Sequence, residues 1–172
     1  MTASMEPLVD ILIEDQRWQD ILPALAERAV AAVLADQGLS PETFEVSLMG
    51  CDDARIQVLN AEFRAKDKAT NVLSWPSQDL AAEDEGAAPE APEPFLPDER
   101  ESLGDIAISY DTCLREAEEQ HKPMAEHVTH LLVHGTLHLL GYDHIREGDA
   151  TLMESIEVRI LDRMGISDPY EG

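Results

Sequence analysis

The chain has 172 residues, enough for one domain with a sizeable core and too few to expect two. Its 36 acidic side chains against 12 basic ones give a formal charge of −24, which weighs against broad affinity for polyanions, because cation contacts to phosphate supply most of such affinity. A start without a signal-peptide pattern, apolar runs too short to span a bilayer, and two unpaired cysteines, Cys51 and Cys113, predict a cytoplasmic protein with free thiols and no membrane partner.

Leu8 to Glu14 alternates, with Val9, Ile11 and Ile13 on one face, and predicts a strand. Pro23 near a start, apolar residues at Leu22, Leu25, Ala26, Val30, Val33 and Leu34, and Gly38 beyond the end predict an amphipathic helix. Thr43 to Met49 alternates again and predicts a second strand. Asp52 or Asp53 can cap the next helix, whose buried stripe is expected at Ile56, Leu59 and Phe63. That helix ends in Phe63-Arg64-Ala65-Lys66-Asp67-Lys68, the densest basic patch of an acidic chain. Cations at a helix C-terminus complement its dipole, so a purely structural role is open. Equally, a guanidinium offers two aligned donors to an anionic phosphoryl group.

Val72 to Trp75 and Gly104 to Ser109 predict two short strands. Between them, residues 77–102 are rich in Asp, Glu, Ala and Pro, with few large apolar residues apart from Phe95 and Leu96, and predict a disordered acidic insertion. It reads either as a solvated loop without chemistry or as a mimic of polyanion charge that occludes a basic cleft. Helices are expected near 111–120, 124–139 and 149–164, the last with Met153, Ile156, Ile160 and Met164 inward and Gly165 at its end. The order strand, helix, strand, helix, strand, strand, helices predicts a single α+β domain over 1–172: a mixed four-stranded sheet packed with about five helices.

Within the long helix, His134 and His138 stand four residues apart, so both imidazoles project from one face toward a common ion. Gly141 can end the helix and let Tyr142 and Asp143 turn the chain back to present His144. Three nitrogen ligands leave a fourth position open, the pattern of catalytic rather than structural zinc. His127 and His130 compete as ligands on spacing alone, His127 being helically in line with His134. Asp143 is either an acceptor for a ligand imidazole or a turn residue, and Tyr142 is expected to pack.

The run HGTLHLLGYDH resembles the signature of the YbeY family of bacterial metal-dependent endoribonucleases. Leu59-Asn60 with Phe63-Arg64, Thr70 to Trp75, and Leu103 to Ser109 resemble further family stretches and occur in the family's order. The resemblance covers about residues 44–160 apart from the insertion. It implies that His134, His138 and His144 hold one Zn2+ per chain and that Arg64 belongs to the active site, with Lys66 and Lys68 as weaker candidates for phosphate contacts along RNA. The implied activity is zinc-dependent, single-strand-specific endonucleolytic cleavage in 16S rRNA 3′-end maturation and late-stage ribosome quality control. The implied partners are ribosomal RNA, the small ribosomal subunit, a small-subunit ribosomal protein and an Era-type GTPase, with no role for DNA. Asn71 and His127 depart from the pattern, standing where many members have Asp and Glu. Two other readings remain: a ribosome-assembly factor with a structural metal and little nuclease activity, and a metal-dependent hydrolase of another substrate. Gly135 stands where HExxH zinc peptidases carry their glutamate base, which argues against peptides.

Overall fold

The structure is a computed structural model that describes residues 7–93 and 100–170. Four strands, β1 (Val9–Ile13), β2 (Phe44–Cys51), β3 (Val72–Pro76) and β4 (Glu101–Ser109), form one mixed sheet in the order β1-β2-β4-β3. β1 and β4 run parallel to β2, whereas β3 pairs antiparallel with β4. Among the described residues, five α-helices surround it: α1 (Leu22–Asp36), α2 (Asp53–Arg64), α3 (Tyr110–Glu119), α4 (Met124–Leu139) and α5 (Glu147–Arg163). The α+β architecture of a four-stranded mixed sheet with five helices is the one predicted.

Local chemistry explains the boundaries. Pro23 lies in the first turn of α1, where its missing N–H costs nothing, and the i, i+3, i+4 spacing of Leu22, Ala26, Ala29, Val30, Val33 and Leu34 buries one stripe. Asp52 caps α2 by accepting from the Arg55 N–H. The main core lies on one face of the sheet, under α1 and α4, with Trp18, Leu132, Val133, Leu137, Met153 and Leu161 among its fully buried side chains. On the other face α2 covers a smaller cluster of Cys51, Ile56, Leu73 and Ala107. Cys51 and Cys113 are free thiols, and both are buried. Among the described residues, no helix is long and apolar enough to cross a membrane.

Two expectations about burial need correction. Phe63 belongs to no buried stripe: it is 60% exposed and meets Trp75 edge-on, with ring centroids 5.7 Å apart. The inward position on α2 falls instead to Asn60, whose amide donates to the Lys68 carbonyl at 2.9 Å. The second concerns the acidic insertion, whose composition offered little to bury. Leu80 and Pro92 are buried, and Arg146 of the α5 N-cap donates to the carbonyls of Ala82 and Glu83. Phe95 and Leu96 lie outside the described residues.

Candidate metal centre

α4 carries two of the three histidines, and its apolar residues hold it against both the sheet and the neighbouring helices. Leu131, Leu132, Val133, Leu137 and Leu139 are all buried, which leaves His134 and His138 at the edge of the packed region on one rigid face. Close approach of α4 to β3 accounts for Gly135 between them. A Cβ at 135 would lie 3.1 Å from Ser74 Oγ and 3.3 Å from Ile106 Cδ1, and the Ser74 hydroxyl donates to the Gly135 carbonyl. Any side chain at this position therefore requires the Ser74 and Ile106 side chains to give way by a few tenths of an ångström.

The third histidine arrives through a turn. Gly141 adopts a φ of +102°, a conformation costly for any residue with a side chain, and its N–H bonds to the His138 carbonyl. Tyr142 is buried and its hydroxyl donates to Gln37 Oε1, so it packs, as expected. Asp143 Oδ1 accepts from the His144 N–H at 2.7 Å and thereby shapes the turn. His144 is exposed, yet its ring centroid lies 5.3 Å from that of His134 and 5.1 Å from that of His138. Among the described residues, His134, His138 and His144 form a group in which one ligand atom from each lies within 4.8 Å of the others.

Hydrogen bonds assign the nitrogens. His138 Nδ1 faces the Tyr142 carbonyl at 2.9 Å, and a carbonyl can only accept, so Nδ1 carries the proton and Nε2 is a bare lone pair. His134 Nδ1 faces the Glu157 carboxylate at 3.1 Å, and in the neutral ring the same logic leaves its Nε2 bare. The two Nε2 atoms then face each other at 3.0 Å. Two lone pairs at that distance repel unless a proton or a metal ion is shared between them, and with His144 beside them the three rings form a donor set that fits a metal ion. Burial pushes the His138 pKa down to about 4, helped by the neighbouring His134 and His144.

The competing histidines are occupied elsewhere. His127 Nε2 meets Glu116 Oε1 at 2.9 Å, and Asn71 donates to the same oxygen, so the two departures from the family pattern share one carboxylate. His130 Nε2 meets Glu157 Oε1 at 2.8 Å.

Arg64 is exposed at the end of α2, with its guanidinium donating to the Ser74 carbonyl. Since the Ser74 hydroxyl reaches Gly135, two hydrogen bonds connect Arg64 with the backbone between two of the histidines. Lys66 and Lys68 are exposed just beyond, in a turn pinned by Asn60: its carbonyl accepts from the Lys66 N–H and its side chain donates to Lys68. Sequence reasoning missed Asn60 and Glu157. For Glu157 a signal existed, because a carboxylate stands within the apolar stripe of α5 that includes Met153, Ile156, Ile160 and Leu161.

Comparison with known proteins places this geometry in context. The family model described as Endoribonuclease YbeY matches residues 11–165. The chain belongs to the YbeY family. The matched span contains all three histidines, Arg64, Lys66 and Lys68, and stops short of Tyr170. An Endoribonuclease YbeY of Ruegeria pomeroyi is 63% identical over 162 residues, 94% of this chain and 97% of the relative. The YbeY protein of Cereibacter sphaeroides is 59% identical over 96% of this chain and 100% of its own length. That of Methylocella silvestris is 43% identical over 97% of this chain and 88% of its own. A solution structure from Thermotoga maritima shares the fold, with a TM-score of 0.54 at 19% identity over 95% of this chain and 99% of that one.

Proposed function

We propose that this YbeY-family chain is a zinc-dependent endoribonuclease that cleaves single-stranded RNA during 16S rRNA 3′-end maturation and late-stage ribosome quality control, in the cytoplasm. One zinc ion per chain is held by His134, His138 and His144. The observation that carries the reading is the pair of bare Nε2 atoms facing each other at 3.0 Å, with His144 in reach and both outer nitrogens occupied by acceptors. The names of the relatives, Endoribonuclease YbeY, support the substrate class.

Zinc with three protein ligands supplies Lewis acidity toward a phosphoryl oxygen and a lowered pKa for a coordinated water. The chain's residues do the rest. Arg64 uses one N–H on Ser74 and keeps others free for the phosphate, where a guanidinium stabilises charge that grows in the transition state. Lys66 and Lys68 contact flanking phosphates weakly. Gly135 supplies no glutamate base between the two histidines, which disfavours peptide hydrolysis. The −24 charge makes free RNA a poor ligand, so docking on the small ribosomal subunit, through a small-subunit ribosomal protein or an Era-type GTPase, directs the cut.

The test compares wild type, His138→Ala and Arg64→Ala, purified identically, on an RNA with a single-stranded 3′ extension. Cleavage by wild type and a loss of about 100-fold or more in each folded mutant is expected. Equal cleavage by all three contradicts the reading. The alternative of an assembly factor with a structural metal draws on the acidic surface, and it gains if none of the three cuts either free RNA or ribosomal particles.

A further inference from the structure

Glu157 of α5 is fully buried, and its neighbours on that helix, Met153, Ile156, Ile160 and Leu161, are apolar and buried as well. A carboxylate without water costs several kcal/mol unless partners replace its hydration, and an aliphatic side chain would serve packing alone at lower cost. Three donors surround this one. His130 Nε2 lies 2.8 Å from Oε1, the Tyr170 hydroxyl donates to Oε1 at 2.8 Å, and His134 Nδ1 lies 3.1 Å from Oε2. Burial alone disfavours the charged carboxylate, and the bonds from His130, His134 and Tyr170 replace the water it has lost. Tyr170 stays a donor, since burial and the Glu157 charge push its own pKa up.

The two ends of this carboxylate have different tasks. Oε1 is fixed by His130, one turn before His134 on α4, and by Tyr170, which also stands edge-on to the His130 ring at 5.6 Å. Oε2 is thereby aimed at the outer nitrogen of His134. A carboxylate on that nitrogen holds the imidazole in the tautomer with Nε2 free, fixes the ring plane, and makes Nε2 a stronger donor. His138 obtains only a neutral carbonyl in the same place.

We propose that Glu157, held in place by His130 and Tyr170, is the positioning residue that sets the affinity of the centre for its metal through His134. The C-terminal segment around Tyr170, beyond the span matched by the family model, thereby becomes part of the metal centre's support. The inference rests on the reading of His134 as a ligand and extends it to groups that touch neither metal nor RNA.

The experiment is competition for zinc between a chromophoric chelator and metal-stripped wild type, Glu157→Gln and Tyr170→Phe, together with melting of each protein with and without zinc. Glu157→Gln is expected to weaken zinc binding about 10–100-fold and Tyr170→Phe by a smaller factor, with a reduced zinc-induced rise in Tm in both. A merely structural role lowers the metal-free Tm and leaves the zinc affinity of the folded protein unchanged. That result overturns the proposal. If Glu157→Gln fails to fold, Tyr170→Phe decides, because it removes only a hydroxyl from an exposed residue: wild-type affinity contradicts the proposal, weaker binding supports it. Absence of zinc binding by wild type itself overturns the metal-centre reading as well, so the two failures are distinguishable.

Discussion

Gly135 shows how a single residue can carry both packing and chemistry. Its hydrogen-bonded carbonyl and missing side chain let β3 approach α4, and through Ser74 that strand also receives Arg64. Gly135→Ala is expected to force Ser74 or Ile106 outward and to lower stability by about 1–3 kcal/mol, measured by urea unfolding. An unchanged midpoint would mean that the strand and helix yield freely. The three histidines were legible in the sequence because i, i+4 spacing and a glycine turn are local patterns. What could not be read locally were the groups behind them. Glu157 and Tyr170 reach His134 and His130 across 23 and 40 residues of chain, a pairing that only the packing of α5 and the tail on α4 creates. Phe63 erred for the opposite reason: helical periodicity gave it an inward phase, but α2 covers only a small cluster, and its last turn projects past it.

At the level of elements, the turn that carries His144 lies between α4 and the acidic insertion. A Cβ at Gly141 would come within 2.8 Å of the Leu80 backbone, and Arg146 binds the carbonyls of Ala82 and Glu83 as well as Asp149. The insertion therefore braces the segment that presents His144. Gly141→Ala meets both a strained φ and this contact, and should cost about 1–3 kcal/mol while reducing zinc retention on dialysis. Full zinc retention would separate the turn from the ligand. Neutralising the exposed side chains of Glu83, Asp84, Glu90 and Glu93 tests the charge-mimic idea without removing these contacts. Faster RNA cleavage at low salt is expected if the acid shields the basic patch, and an unchanged rate opposes it. The strand and helix order was legible because its signals, alternation and capping, are short in range. The docking of the insertion was not, since a few buried contacts such as Leu80 and backbone bonds to Arg146 leave no trace in composition.

For the whole molecule, proton uptake and folding are linked. An unfolded histidine protonates near 6.5, whereas His138 in the folded protein protonates only near 4. On acidification the unfolded state gains that proton first, so the metal-free protein loses stability as pH falls from 6.5 toward 4. Depressed carboxylates act in the same direction at lower pH, with Asp36 held down chiefly by Arg159 and Glu116 by His127. Melting of the metal-stripped protein should therefore give a lower Tm at pH 5 than at pH 7, and an equal or higher value would contradict the burial of a neutral His138. Zinc adds to this dependence, because protons compete for the imidazoles, and dialysis at pH 5 should remove metal that pH 7 retains.

On the proposed function, one ion bound by three histidines makes this acidic protein an RNA-cleaving enzyme. Titration of metal-stripped protein with zinc, following cleavage of a single-stranded 3′ extension, tests it most directly. The rate should be absent in chelator, rise with added zinc and break at one equivalent per chain. Full cleavage in chelator, or a rate indifferent to zinc in protein shown to bind it, would contradict the claim.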